Sequence, residues 1–233
     1  MSTIRNLAMT PQELSGAAVP PEGAAWMSCH FTPEGPGLTD LPQALPPHAL
    51  VILDDRTPMG SQEPGEILSI LSELQQRLSF DGLLLDFQRT GSPAQQALAS
   101  LLSRELSCPV GVSEAYAQQT EGPVFLPMLP AHRPLAPYLH PWKGREIWLE
   151  LGRGAEQAVV TESGTVFSPL VPPFAPCPLF HRELHCHYGI YPQDRQILFT
   201  LQRTPEDLQA LEQQARELGV SRTIGLYQEL SGA

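Results

Sequence analysis

The stretch of sequence that decides the fold is a short apolar run ending in polar side chains: Phe80-Asp81-Gly82-Leu83-Leu84-Leu85-Asp86-Phe87-Gln88. The run has no helical period, but helical patterns precede it over residues 64–78 and follow it over residues 93–106. A continuous apolar strand between two helices is typical of a parallel strand buried on both faces. Asp86 and Gln88 are two residues apart, so they point to the same side. They lie at the carboxyl end of the strand, where parallel α/β proteins carry their sites.

The rest of the chain continues this alternation of apolar strands and amphipathic helices. The segments interpreted as strands are residues 4–9, 24–31, 49–54, 80–88, 109–116, 123–130, 145–151 and 223–229. The alternation predicts an α/β fold, a TIM-type (β/α)8 barrel that forms a single domain over residues 1–233. Pro127 weakens the sixth segment as a strand. The first segment decides the count, because residues 197–202 must close the barrel if Ile4–Met9 is only a loop.

The pattern changes after the seventh strand. Ser163-Gly164 is a hairpin signal, and residues 192–194 form a second turn between two strand-like segments. Antiparallel hairpins break a strictly alternating plan, so residues 155–203 are predicted to form a β-hairpin insertion. A helix then begins at Thr204, with a capping side chain, proline at the first position and acidic residues in the first turn.

Composition excludes several classes of protein. The 233 residues carry 14 Lys and Arg against 25 Asp and Glu, a formal net charge of −11, with no basic run. Binding to nucleic acid or to an anionic membrane is therefore not expected. Four cysteines are widely scattered, which is not a disulfide framework. The amino terminus has no apolar run typical of a signal peptide, and no stretch approaches the length of a membrane helix. We therefore expect a cytoplasmic protein.

Residues 81–88 resemble a known motif. Family 18 glycoside hydrolases, the chitinase-like barrels, carry Asp-Gly-x-Asp-x-Asp-x-Glu on their fourth strand. Asp81, Gly82 and Asp86 match this motif, whereas Leu84 replaces its second acid and Gln88 replaces its catalytic glutamate. The motif here also falls on the fourth predicted strand, and the insertion follows the seventh, as in that family.

The resemblance implies a chemistry that this chain only partly retains. In the family, the terminal glutamate protonates the leaving oxygen, and the preceding aspartate orients the N-acetyl group of the substrate. The amide of Gln88 does not titrate, but it donates and accepts hydrogen bonds at nearly the same place. The family's Tyr-Asp pair on strand six is replaced by Leu126-Pro127-Met128. The expected function is a carbohydrate-active barrel that binds an oligosaccharide or other small-molecule ligand, with lost or rewired hydrolysis.

Acidic side chains near other predicted strand ends offer a substitute proton donor. The candidate catalytic residues are Asp86, Gln88, Glu114, Glu150 and Glu229. The candidate substrate-binding residues are Asp54, Asp81, Tyr116, Trp148 and Tyr227. Strand ends converge at one end of a closed barrel, and two carboxyl groups about 5–10 Å apart would suffice for a conventional glycosidase. The aromatic side chains offer faces for sugar stacking, and packing in the core is the alternative role for each of them.

Two alternatives belong to other functional classes. His181, His185 and His187 are potential metal ligands, with Cys186 beside them, so a metal-dependent hydrolase is one alternative. The spacing of these residues matches no closed zinc motif, so no metal and no other cofactor are expected. The other alternative is a non-catalytic interaction protein whose insertion forms a homodimer surface.

Overall fold

The computed structural model describes residues 3–17, 21–33, 35, 37–89, 91–171 and 174–230. The strands are β1 (Ile4–Met9), β2 (Ala24–Phe31), β3 (Leu38–Thr39), β4 (Leu50–Asp54), β5 (Gly82–Asp86), β6 (Val110–Ser113), β7 (Val124–Leu126), β8 (Ile147–Leu151), β9 (Ala155–Thr161), β10 (Gly164–Pro169), β11 (Leu179–His181), β12 (Cys186–Gln193), β13 (Gln196–Gln202) and β14 (Arg222–Leu226). The α-helices are α1 (Pro11–Gly16), α2 (Pro64–Leu78), α3 (Pro93–Glu105), α4 (Leu135–Leu139), α5 (Pro205–Glu217) and α6 (Tyr227–Leu230), with 3-10 helices at Glu114–Gln119 and His140–Trp142.

Within the described residues, eight parallel strands close into a barrel in the order β1-β2-β4-β5-β6-β7-β8-β14. The strand β1 makes the closure, because Leu7 lies opposite Gly225 of β14 on one side and opposite Ala24 of β2 on the other. The predicted TIM-type barrel is confirmed, and Ile4–Met9 is one of its strands. Residues 82–86 therefore form the fourth barrel strand.

Several strands end earlier than the sequence pattern predicted. The fifth barrel strand stops at Ser113, and residues 114–119 form a 3-10 helix. The sixth, β7, is only Val124–Leu126, since Pro127 has no backbone N–H to donate to a neighbouring strand. The last strand ends at Leu226, where α6 begins. The residues that follow these ends lie on turns and short helices above the barrel.

Amphipathic helices cover the outside of the barrel. The buried side chains Ile67 and Leu71 of α2 and Leu98 of α3 belong to one apolar cluster with Leu83 and Leu85, the outward-facing residues of β5. The central strand is thus buried on both faces, as its unbroken apolar run predicted. None of the described helices is long and apolar enough to cross a membrane.

A tryptophan fills the interior of the barrel. Trp148 on β8 is fully buried and packs in an apolar cluster with Leu84 and Ile224. The strands β5 and β6, which pair with each other, have glycine where a side chain would meet the indole ring. A Cβ at Gly111 would lie 2.4 Å from Trp148 Cε3, and a Cβ at Gly82 would lie 3.1 Å from Trp148 Cη2. The indole therefore occupies space that these glycines leave free.

The insertion between β8 and α5 is a five-stranded antiparallel sheet, formed by β10-β9-β13-β12-β11 among the described residues. The two predicted hairpins are joined into this one sheet because β9 pairs with β13. At the barrel side of the sheet, Ala158, Cys186 and Leu201 pack against Ala131, which lies in the segment after β7. This contact holds the sheet against the carboxyl end of the barrel.

The packing of Trp148 predicts a large effect for a single methyl group. We expect Gly111→Ala to lower the free energy of unfolding by about 1–3 kcal/mol, because the added Cβ overlaps the indole ring and forces the core to shift. Gly65→Ala is the matched control: it lies in α2 with no atom within 4 Å of the added Cβ. There the change should be neutral or stabilising by up to about 1 kcal/mol. Urea denaturation measures both, and equal stability of the two variants would contradict the assignment.

Candidate functional site

Alternate side chains of three barrel strands point into the barrel and become polar at its carboxyl end. On β5, Leu84 packs in the interior cluster and Asp86 follows it two residues later on the same side; on β8, Glu150 follows Trp148 in the same way. Asp54 on β4 is the register partner of Asp86. These carboxyl groups therefore lie above the apolar interior at the open end of the barrel, which we call the barrel mouth.

Asp86 is joined to Gln88, as their spacing predicted. The Gln88 side-chain amide donates a hydrogen bond from Nε2 to Asp86 Oδ1 at 2.5 Å. Burial raises the pKa of Asp86, and the charges of Asp54 and Asp55 raise it further, whereas the Gln88 hydrogen bond and the Arg56 charge lower it. The net pKa is above the ordinary value of an aspartate. Gln88 itself is exposed and presents its amide to the solvent side of the mouth.

Glu150 is the second carboxyl group at the mouth whose pKa is raised. Burial is the largest cause, and the negative charges of Asp86 and Glu229 add to it. One interaction opposes the rise: the backbone N–H of Met128 donates a hydrogen bond to Glu150 Oε2 at 3.0 Å. Asp86, Glu150 and Glu229 are therefore within electrostatic reach of one another.

The remaining candidate acids lie on the segments above the strands. Glu229 is on α6, and its Oε2 accepts a hydrogen bond from the backbone N–H of Arg153 at 2.7 Å. Tyr227 begins the same helix and is partly exposed. Glu114 is exposed at the start of its 3-10 helix and shares a cavity of about 180 Å³ with Gln88. The sequence-predicted acids are thus distributed around one opening.

Asp54 is held at the mouth by a partner that the sequence reasoning missed. Its Oδ1 lies 2.8 Å from Nδ1 of His30, and it also accepts a hydrogen bond from the backbone N–H of Arg56 at 2.9 Å. The pairing of β2 with β4 shifts register between Trp26 and Cys29. An irregularity of this kind changes which side chains of a strand face its neighbours, so simple alternation along β2 did not mark His30.

Asp55 is a structural residue that sequence reasoning also missed. Its buried carboxylate accepts hydrogen bonds from the backbone N–H groups of Gln88 and Arg89, both at 2.9 Å, and from Nε2 of Gln95 at 3.0 Å. It therefore fixes the segment that carries Gln88 relative to the end of β4. The adjacent pair Asp54-Asp55 at a strand end was visible in the sequence, but the partners of Asp55 come from another barrel unit.

Three of the predicted substrate-binding residues do not reach the mouth. Asp81 precedes β5 at the opposite end of the barrel, where it binds Nδ1 of His48; five residues of strand place it roughly 16 Å from Asp86. Trp148 is fully buried in the barrel interior, so it offers no face to a sugar. Tyr116 is 3 % exposed and packs edge-on against Phe87 in the outer layer.

In the described part of the insertion, the histidines are held apart from one another. His185 lies in the turn before β12 with a positive φ of 45°, so it does not share a strand face with His187. His187 is engaged with Asp207, 2.8 Å from its Nδ1. The part of the chain that the structure describes contains no group of three His, Cys, Asp or Glu side chains that could hold a metal ion. Within these residues, the three histidines are therefore not gathered into one set of metal donors.

Comparison with known proteins shows likeness at the level of structure. No family model matches this chain, and no curated protein does. The spore cortex-lytic enzyme SleL of Bacillus megaterium QM B1551 matches with a TM-score of 0.57 and 9% identity, over 96% of this chain and 70% of that one. A chitinase from Chromobacterium violaceum ATCC 12472 matches with a TM-score of 0.57 and 10% identity, over 96% and 93% of the two chains. At these identities the likeness shows a shared barrel fold.

The hydrogen bonds of Asp55 predict a loss of stability on a nearly isosteric change. Asp55→Asn keeps one acceptor oxygen but turns an NH₂ group toward donors. We expect a loss of about 1–3 kcal/mol in the free energy of unfolding, since a buried donor is left without an acceptor. Asp194→Asn, in the exposed turn between β12 and β13, is the control and should change little. An Asp55→Asn variant as stable as the control would contradict the role given to Asp55.

The raised pKa of Glu150 predicts that replacing this carboxyl group with an amide stabilises the protein in a pH-dependent way. Because the folded state holds this proton more strongly than the unfolded chain, stability falls as the pH rises through the interval between the two pKa values. Gln cannot ionise but still accepts the Met128 hydrogen bond. We expect Glu150→Gln to be more stable than wild type at about pH 8, and the difference to vanish as the pH falls below the ordinary glutamate pKa of about 4.3.

Urea denaturation across this pH range measures the effect of Glu150→Gln. Glu162→Gln, in the exposed turn between β9 and β10, is the control and should show no such pH-dependent gain. A Glu150→Gln variant that is less stable than wild type at high pH would show that the carboxylate is stabilised at the mouth rather than strained.

Proposed function

We propose that the barrel mouth binds an oligosaccharide containing N-acetylhexosamine units and does not hydrolyse it. The observation that carries the proposal is the pair Asp86 and Gln88, hydrogen-bonded to each other at the carboxyl end of the fourth barrel strand. This is where the chitinase-like motif has its substrate-orienting aspartate and its catalytic glutamate. The carboxylate accepts hydrogen bonds and the amide both donates and accepts them, which suits hydroxyl and N-acetyl groups.

The shared fold supports a glycan as the ligand. The structures that resemble this chain include an enzyme described as a chitinase and one described as spore cortex-lytic. Enzymes with this barrel act at the carboxyl ends of their strands, which is where Asp86 and Gln88 lie. The partly exposed ring of Tyr227, on α6 above β14, is the predicted aromatic residue that remains available for stacking on a sugar.

Several groups that the family's motif uses for hydrolysis are replaced in this chain. Gln88 occupies the position of the acid, but its amide does not titrate and cannot transfer a proton to the leaving oxygen. Leu84, at the position of the motif's second acid, is buried in the apolar interior of the barrel. The family has a tyrosine and an aspartate at the end of the sixth strand. Here that strand ends at Leu126, and Pro127 follows it. The chain therefore retains Asp86, at the position of the family's substrate-orienting aspartate, but not the proton donor that follows it in the motif.

A rewired hydrolase is the second candidate, and Glu150 is the observation that favours it. Its pKa is raised by burial and by the charges of Asp86 and Glu229. A carboxyl group that keeps its proton closer to neutral pH is suited to general acid catalysis. In this version Glu150 donates the proton from β8, across the mouth from the fourth strand.

Binding and turnover by the wild-type protein and its Gln88 variants separate the two candidates. We expect wild type to bind an N-acetylglucosamine tetramer in isothermal titration calorimetry and to release no product from a chromogenic oligomer. Gln88→Ala should weaken binding by up to about tenfold through the loss of a hydrogen bond. Gln88→Glu should gain measurable turnover, at the lower end of the about 10²–10⁴-fold that general acid catalysis contributes, because Leu84 leaves the family's chain of acids incomplete.

The opposite pattern would favour the rewired hydrolase. Turnover by wild type that survives Gln88→Ala but disappears in Glu150→Gln would place the proton donor on β8. A glucose tetramer is the matched ligand without N-acetyl groups and should bind more weakly. No binding of any oligosaccharide would remove the proposal of a glycan site altogether.

A further inference from the structure

A second cavity, of about 470 Å³, lies beside the barrel mouth where the antiparallel sheet meets the barrel. Its lining consists of Met128, Arg153, Gly154, Ala155, Leu170, Phe174, Gln202, Arg203, Thr204 and Glu229. Two of these residues also belong to the surroundings of Glu150: Met128 donates to its carboxylate, and Glu229 acts on its pKa. The cavity is within the size range of small-molecule sites, and it adjoins the groups that form the mouth.

Two arginines border this cavity. Arg153 follows β8 and is exposed, and Arg203 follows β13 and is 3 % exposed. Within the described ranges, neither guanidinium has a carboxylate at salt-bridge distance. Among the described residues of the lining, Glu229 carries the one carboxylate, and its Oε2 accepts a hydrogen bond from the backbone N–H of Arg153. The lining itself therefore carries two positive charges and one negative charge, in a chain whose net charge is −11.

Arg203 is a buried charge whose hydrogen bonds are incomplete. Its terminal nitrogens donate to the backbone carbonyls of Leu129 and Pro130, whereas its Nε is buried with no hydrogen-bond partner among the residues that the structure describes. Two acids act on it from a distance, but both are engaged elsewhere. Glu156 binds His132, and Asp207 binds His187 and the backbone N–H of Thr204. Burial of an uncompensated charge is costly, and an anion in the cavity would offset that cost.

We propose that this cavity is a subsite for the carboxylate group of an acidic sugar residue, next to the unit that the mouth holds. The inference rests on the proposed glycan binding at the mouth and adds the chemical class of the ligand. Arginine is suited to the role because its planar guanidinium binds a carboxylate through two parallel hydrogen bonds. Arg153 meets the ligand at the rim, and Arg203 supplies fixed positive charge from the wall shared with the sheet.

The test compares two tetrasaccharides that differ only in charge. One alternates glucuronic acid with N-acetylglucosamine, and the other is the same compound with its carboxyl groups reduced to alcohols. We expect the protein to bind the acidic form at least about tenfold more tightly at low salt, with a preference that shrinks as salt is added. Arg153→Ala should reduce this preference at least about threefold, because it weakens binding of the acidic form more than binding of the reduced form.

Matched variants keep the test decisive. Arg195→Ala removes an exposed positive charge from the turn between β12 and β13 and should keep the preference. Arg203→Lys, which retains the positive charge that this residue supplies, should keep the preference for the acidic form. Equal affinities for the two tetrasaccharides, or an equal loss of both in Arg153→Ala, would overturn the acidic subsite. If the reduced form and the N-acetylglucosamine tetramer bind and no preference is seen, only the subsite fails; if no oligosaccharide binds, the proposed function fails with it.

Discussion

The packing of Trp148 inside the barrel is the constraint on which the rest of the structure depends. The ring fits because Gly111 and Gly82 present no side chain to it, so these strands are fixed in register around the indole. The apolar layer at this level forms the floor of the mouth. Glu150 and Asp86 each lie two residues beyond that layer, about 7 Å along their strands. The layer that contains this tryptophan is therefore the apolar floor above which the two carboxyl groups lie.

The acids at the mouth are held by groups that offset only part of the cost of their burial. Glu150 has a backbone N–H and Asp86 has the Gln88 amide, yet burial still raises the pKa of both carboxyl groups. Asp55 is different, because three donors converge on its carboxylate and tie the segment after β5 to the end of β4. Its role is structural, whereas the incompletely satisfied acids beside it are typical of a functional site.

The features that the sequence predicted well are those that depend on the residues of a single segment. The apolar run of β5, the spacing of Asp86 and Gln88 and the strand Ile4–Met9 are local patterns, and the structure contains them as expected. Which end of a strand a residue occupies is also local, so Asp81 could have been assigned to the amino end from its place before the apolar run. The burial of Trp148 was not predictable in this way, because it depends on glycines of other strands.

The protonation chemistry of the mouth decides what a bound glycan would experience. The Gln88 amide stabilises the ionised form of Asp86 and opposes the effect of burial. An amide cannot exchange a proton with a leaving oxygen, so this pair acts as a hydrogen-bonding surface with one negative end. Glu150 accepts a hydrogen bond from the backbone N–H of Met128, and the charge of Asp86 raises its pKa. A negative charge on Asp86 therefore favours the protonated form of Glu150, so the charge on the strand that carries the chitinase-like motif bears on the protonation of β8 across the mouth.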